Sequence, residues 1–364
     1  MAVFIILMLG AYLGGNYYIC LRGLQAMQHF PLPARWVFGV LVWGSALSVF
    51  LTFVLRNSKL SATPWAHFFF EYSSGWLVFT LYMVLFLFCF DLFRLFNHPF
   101  QYGFAGALVL TACLLSYGFY RFQHPSVQVI RLAVNKPAAV DTFRIVAVSD
   151  VHLGMGTSDA MLQKYIRMIN AQQPDVILVG GDLIDNSIVP VRERQMEKAL
   201  AQLQAKYGIY MAPGNHEYIS GISQCEQYLR QTRICLLRDS AATLPNGIRL
   251  VGRDDRSNPL RQTLPQLLEQ VDTAFPVIVL DHQPAELTPA ADAGVDLLFC
   301  GHTHDGQVWP MNLVTSRLFE RSYGFEKRGG AAIYVSSGLA LWGPPFRIGS
   351  RSEMVVFDLT FQRP

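Results

Sequence analysis

Charge is scarce in this chain: with 29 Lys and Arg against 26 Asp and Glu, charged residues make up 15% of 364 positions, below the roughly 25% of an ordinary soluble domain. The net charge of +3 is scattered, and no basic stripe or patch gathers it, which excludes the footprint of a nucleic-acid binder. The six cysteines form no Cys-x-x-Cys pair, and the odd number in the polar half (Cys225, Cys235, Cys300) argues for a reducing compartment. Secretory features are also missing. The first apolar run has no basic residue before its core and no small-x-small cleavage site, so it reads as a retained helix.

What the chain has in excess is apolar residues, at 52%, concentrated before Phe122. Four runs stand out: Val3 to Leu21, Trp36 to Leu55, Trp65 to Phe90 and Tyr102 to Tyr120. Each approaches or exceeds the ~20 residues that cross a bilayer as a helix. Polar breaks carrying Arg22 and Arg35, Arg56 and Lys59, and Asp91 and Arg94 read as loops. Residues 1–122 are therefore expected to be a four-helix transmembrane domain, 123–140 a linker, and 141–364 a globular domain. With four crossings, Arg56, Lys59, Arg121, Arg131 and Lys136 share the side of the globular half, against Arg22, Arg35 and Arg94 opposite. The positive-inside rule then places that half in the cytoplasm.

From Phe143 onward short apolar runs alternate with amphipathic ones: Phe143 to Val148, Met161 to Asn170, Val176 to Val179, Arg192 to Lys206 and Ile209 to Met211. Further strand candidates are Ile248 to Val251, Val277 to Leu280, Leu297 to Phe299, Ile333 to Val335 and Met354 to Leu359. Strand and helix taking turns favours a layered α/β fold. Polar clusters follow the strands: Asp150-Val-His152, Gly181-Asp182, Gly214-Asn215-His216-Glu217, Asp281-His282 and Gly301-His302-Thr-His304. In open α/β sheets that edge is where ligands bind.

Carboxylate, imidazole and amide donors suit manganese, iron, zinc or cobalt, and no cysteine competes with them. Taken singly, each donor has a plainer reading. Asp150 or Asp182 alone is a helix cap, His282 a buried structural histidine, and His302 with His304 a turn. Gly180, Gly181, Gly214 and Gly301 read either as ordinary turn glycines or as close approaches of backbone to phosphate. Asp185 is equally a supporting partner or a cap.

In their order the five clusters, with Asp185, resemble the calcineurin-like metallophosphoesterases from about Phe143 to Leu359. The resemblance implies two packed β-sheets flanked by helices, an α/β/β/α sandwich. It assigns Asp150, His152 and His304 to one divalent cation and Asn215, His282 and His302 to a second, with Asp182 bridging. His216 is then a nearby catalytic group, with Glu217 or another carboxylate orienting it. Two such ions about 4 Å apart, manganese being the first expectation, polarise phosphoryl oxygens and generate hydroxide at neutral pH.

The stretch Gly306-Gln307 through Gly338 to Glu353 resembles a membrane-tethered subgroup that includes hydrolases of UDP-2,3-diacylglucosamine. The chain departs from it at Asp305, where glycine is usual, and in its four-helix amino-terminal half. Aromatics and cations crowd the loops after the last histidines, with Trp309, Trp342 and Arg347 as candidate substrate contacts. Such a rim suits anionic headgroups at a bilayer, although core aromatics beside a solvated charged face give the same pattern. The expectation is a multi-pass protein of a bacterial inner membrane that hydrolyses a phosphodiester or pyrophosphate in a lipid or lipid-linked nucleotide. The alternatives are an anchored enzyme for a soluble substrate, and a non-catalytic membrane scaffold.

Overall fold

The structure, a computed structural model, describes residues 2–96 and 102–362. The apolar runs fold into α1 (Ala2–Ala26), α2 (Leu32–Leu55), α3 (Pro64–Phe96) and α4 (Gly103–Gln123). Proline at the start of α2 supplies the φ a first turn needs, and its missing N–H costs nothing there. Among the described residues three helical segments are long and apolar enough to cross a membrane, Leu32–Leu55, Pro64–Phe93 and Gly103–Gln123, and α1 is not one of them.

The break expected at Asp91 and Arg94 is absent, because α3 continues to Phe96. Asp91 is tolerated in this apolar setting by a 2.5 Å ion pair with Arg22 of α1 and a hydrogen bond from Tyr18. A second polar knot sits on α1. Asn16 is fully buried, and its Oδ1 accepts from Trp76 Nε1 at 2.8 Å and from Thr80 Oγ1 at 3.4 Å, both on α3. Side-chain hydrogen bonds of this kind join helices in lipid, where apolar contact alone discriminates poorly.

The rest of the chain builds two six-stranded sheets. Their strands are β1 (Ser126–Pro137), β2 (Thr142–Val148), β3 (Val176–Gly180), β4 (Ile209–Ala212), β5 (Ile234–Leu236), β6 (Ser240–Thr243), β7 (Arg249–Gly252), β8 (Val277–Leu280), β9 (Leu297–Cys300), β10 (Gly324–Arg328), β11 (Ala331–Val335) and β12 (Glu353–Gln362). The first sheet has the order β1-β12-β2-β3-β4-β5 and the second β10-β11-β9-β8-β7-β6; both are mixed. Phe143, Ile145 and Phe357 from one sheet meet Leu250, Ile278 and Phe299 from the other in the core between them. Helices cover the outer faces through two further buried clusters.

Two expectations are corrected. Residues 126–137, expected to be linker, form the edge strand β1, paired in parallel with β12. The single helix expected over Arg192 to Lys206 is two short ones, Val189–Glu193 and Glu197–Leu200, parted near Gln195, whose φ of 50° no helix accommodates.

The helices lie against the globular half. Tyr82 Oη on α3 donates to the Trp309 carbonyl at 2.6 Å, and His67 Nδ1 lies 2.8 Å from the Met155 carbonyl. Val78 and Tyr82 share a buried cluster with Val308 and Ile348. On α4, Gly118 is a close approach: a Cβ there would stand 2.6 Å from Ile348 Cγ1.

Candidate metal centre

Five strands aim the expected donors at one place. Asp150 and His152 follow β2, Asp182 follows β3, Asn215 follows β4, His282 follows β8, and His302 and His304 follow β9. The first three strands are parallel neighbours in one sheet, and β8 and β9 are parallel neighbours in the other. The site therefore straddles the carboxyl edges of both sheets, as the alternation of strand and polar cluster predicts. Five of the seven residues have left-handed backbone, with φ of 54° at Asp150, 48° at His152, 53° at Asp182, 73° at His302 and 50° at His304. Such conformations cost a non-glycine residue about 1–3 kcal/mol each and persist where the fold over-determines them, as at active sites.

The donors converge in two groups, and a third cluster of His152, Asp182 and His216 shares one residue with each. Asp150, His152 and His304 present ligand atoms within 4.8 Å of one another, as do Asp182, His282 and His302. His152 Nε2 and His304 Nε2 face each other at 3.2 Å, with Asp150 Oδ1 3.5 Å from the latter. His282 Nε2 stands 3.1 Å from Asp182 Oδ2, while its Nδ1 lies 2.8 Å from the Gly180 carbonyl, which orients the ring. Asn215 Oδ1 and His282 Nε2 are buried without a hydrogen-bond partner. Buried polar atoms normally find partners, so acceptors left over and aimed inward fit cations.

Glycines make the convergence possible. A Cβ on Gly214 would lie 2.1 Å from Asp182 Oδ1, and one on Gly301 would lie 2.5 Å from Asp150 Oδ2. Their role is close packing against the ligands. Asp150 is also gripped from behind: the loop after β11 donates Leu339 N–H to the Ser149 carbonyl and Ala340 N–H to the Asp150 carbonyl.

His216 sits at the start of the helix Asn215–Ile219, its N–H donating to Asp182 Oδ1 at 2.8 Å. The carboxylate that orients its ring is Asp185, whose Oδ1 is 3.1 Å from His216 Nδ1 and 3.4 Å from His152 Nδ1. Burial alone would raise the Asp185 carboxyl, but the two imidazoles hold it down at about 2. Burial likewise opposes protonation of His216, and the Asp185 hydrogen bond with the charge of Asp182 outweighs it, so the imidazole titrates above its usual value. Glu217 has another task, accepting from the backbone N–H groups of Asp182, Ile184 and Gly214. It therefore shapes the turn that presents Asp182. Burial and the neighbouring Asp182 push its carboxyl up to about 7. At the second group, burial and the adjacent His282 lower His302 to about 4.

The expected substrate contacts divide. Trp342 is half exposed with its ring edge-on to His216 at 6.2 Å between centroids, and Trp309 is half exposed beside α3. Arg347 is fully buried. Its guanidinium donates to the carbonyls of His304, Ser337, Gly338 and Ala340, so its donors point into the fold and not toward a phosphate. No local signal marks this, because the carbonyls come from separate turns.

Comparison with known proteins agrees with this geometry. Residues 143–306 match the model of the calcineurin-like phosphoesterases. A metallophosphoesterase of Aquifex aeolicus is 31% identical over 59% of this chain and 84% of its own length. A transmembrane protein with a metallophosphoesterase domain from Danio rerio is 32% identical over 68% of this chain and 60% of its own. The UDP-2,3-diacylglucosamine pyrophosphatase of Chlamydia trachomatis is 26% identical over 64% of this chain and 90% of its own length. The chain spans about 60% of the length of several curated relatives that it matches. A metal-donor constellation at the edges of two stacked sheets and a 31% identity covering most of the Aquifex aeolicus protein agree: the chain belongs to the calcineurin-like metallophosphoesterase family.

Proposed function

We propose that this protein hydrolyses a phosphodiester or pyrophosphate bond in a membrane-associated lipid or lipid-linked nucleotide, with its helical half holding the site at the cytoplasmic leaflet of a bacterial inner membrane. Asp150, His152 and His304 hold one divalent cation, Asn215, His282 and His302 a second, and Asp182 bridges them; manganese is the first candidate, with iron, zinc or cobalt as alternatives. When bound, the pair of cations polarises phosphoryl oxygens and lowers the pKa of a bound water toward neutrality. His216 contributes the proton chemistry. With Nδ1 engaged by Asp185, its other ring nitrogen is free to protonate the leaving oxygen or to stabilise charge developing on it. Trp342 and Trp309 supply apolar contact beside the reacting group, and Arg347 braces the turn that carries His304 and the loop that grips Asp150. In this reading α1 is a fourth crossing, which puts the amino terminus on the side of the catalytic half.

The observation that carries the lipid reading is the seam between the halves, where Tyr82 and Gly118 of apolar helices meet Trp309 and Ile348 beside the metal ligands. The Chlamydia trachomatis relative, a pyrophosphatase of a lipid-linked nucleotide, supports the same substrate class.

The test is hydrolysis by the full chain in lipid nanodiscs with and without Mn²⁺, on an aryl phosphodiester and on UDP-2,3-diacylglucosamine. His216→Ala should lower kcat by about 10²–10⁴-fold with bound metal unchanged. A wild-type protein without metal-stimulated turnover of either compound rules out the enzymatic reading; turnover of the aryl diester alone leaves an enzyme for a soluble substrate.

A further inference from the structure

An apolar cavity lies where α2 and α3 meet the catalytic half. Val49, Phe53 and Arg56 come from α2, Phe70 and Leu77 from α3, and the far wall is made by the loops carrying Met155, Asp185 and Trp342. Two of these wall residues belong to the metal centre's surroundings: Asp185 holds His216 and His152, and Trp342 stands edge-on to His216. The cavity therefore shares two wall residues with the reaction site on one side and is bounded by membrane-type helices on the other. At about 110 Å³ and with a mostly apolar lining, it suits a segment of hydrocarbon chain.

A second feature points to the same ligand. Arg56 lines the cavity with its guanidinium carbon 5.7 Å from the centre of the Phe53 ring. Its Nε is buried without a hydrogen-bond partner. A cation beside an apolar slot at the end of a membrane-type helix matches a lipid, whose anionic headgroup lies next to its chains.

We infer that the cavity walled by α2, α3 and the Asp185 and Trp342 loops receives an acyl chain of the substrate, with Arg56 facing the lipid's anionic headgroup region. The inference rests on the lipid reading and makes the helical half part of the substrate site. It accounts for the placement of α3, whose Phe70 ring stands 2.7 Å from where a Cβ on Gly156 would be, against the turn that follows His152. An anchor alone has no need to press on that turn.

The test compares CDP-diacylglycerol carrying palmitoyl or butyryl chains, in nanodiscs with Mn²⁺, for the wild-type protein and for Val49→Trp and Leu77→Trp, which fill the cavity from α2 and α3 separately. The wild type should favour the palmitoyl lipid, and the ratio of kcat/KM for palmitoyl over butyryl should fall roughly tenfold or more in each variant, the scale on which a misfitting hydrophobic pocket discriminates. As a measurement independent of the variants, a palmitoyl chain carrying a terminal diazirine should label peptides containing Phe53 or Met155 on the wild-type protein, with excess unlabelled palmitoyl lipid suppressing the label. Hydrolysis of both lipids with a ratio unaltered by either substitution overturns the cavity assignment while the lipid reading stands, as does labelling that skips those peptides. Turnover of an aryl diester with neither of these lipids nor UDP-2,3-diacylglucosamine cleaved removes the lipid reading and this inference together.

Discussion

Asp185 shows how a single carboxylate organises the site without serving as a metal ligand in this reading. It lies within 3.4 Å of two imidazoles, to which the proposed mechanism gives different tasks, His152 as a ligand and His216 as an acid. Asp185→Asn keeps the volume and removes the charge that holds both rings. We expect kcat to fall by about 10²-fold, the order of effect that removing an outer partner has at such sites, with bound metal reduced less than in His152→Ala; metal analysis beside kinetics measures the two. Arg347 is the contrasting case. Arg347→Lys retains a charge but loses the planar fork that reaches carbonyls from several turns. Leaving buried carbonyls unmet costs about 1–3 kcal/mol each, so the expected outcome is a lower melting temperature in detergent. The donor types at Asp150, His152, Asp182, Asn215, His282, His302 and His304 were legible in the sequence, since each stands within a few residues of a strand end. The burial of Arg347 was not, because its partners are set by how the connection after β9 packs on the connection between β11 and β12.

Elements differ in how much of them local pattern reveals. Strands β2, β3, β4, β8 and β9 were readable as buried apolar runs between polar turns. Strand β1 was not, because its exposed face carries Val127 and Val129, so no apolar-polar alternation marks it, and only pairing with β12 makes it a strand. A chain beginning after Val140 lacks β1 and leaves β12 with an open edge, a template for association. It should aggregate at concentrations where a chain beginning at Pro125 stays dispersed, which light scattering measures. Helix α4 offers a separate test. At Gly118 even one added carbon meets Ile348 at 2.6 Å, and Arg347 N–H bonds the Gly118 carbonyl at 2.9 Å. Overpacking costs about 1–3 kcal/mol, so Gly118→Val should lower the melting temperature of the intact protein. Retention of the wild-type value would mean that the seam yields readily.

At the scale of the whole molecule, the metal centre couples folding to cation supply. The donors come from both sheets, so an ion bound there ties β2, β3 and β4 to β8 and β9 and binds only the assembled fold. At a hundredfold excess over its dissociation constant, a ligand of the native state alone stabilises by about 2.7 kcal/mol. Addition of Mn²⁺ to chelator-treated protein should therefore raise its melting temperature, and do so much less in Asp182→Ala, which lacks the carboxylate proposed to bridge the ions. An equal rise in both would place the stabilising ion elsewhere.

The chemistry of this protein was written in its sequence because its carriers are local: seven donors at strand ends, the glycines beside them, and apolar runs long enough for helices. Tertiary structure alone decided which face of those helices meets the site, that Asp185 and not Glu217 orients His216, that Arg347 turns inward, and that residues 126–137 join a sheet. The reason lies in sequence separation. Tyr82 meets Trp309 across 227 positions, and β1 pairs with the last strand of the chain; no window of neighbouring residues contains both partners of such a contact.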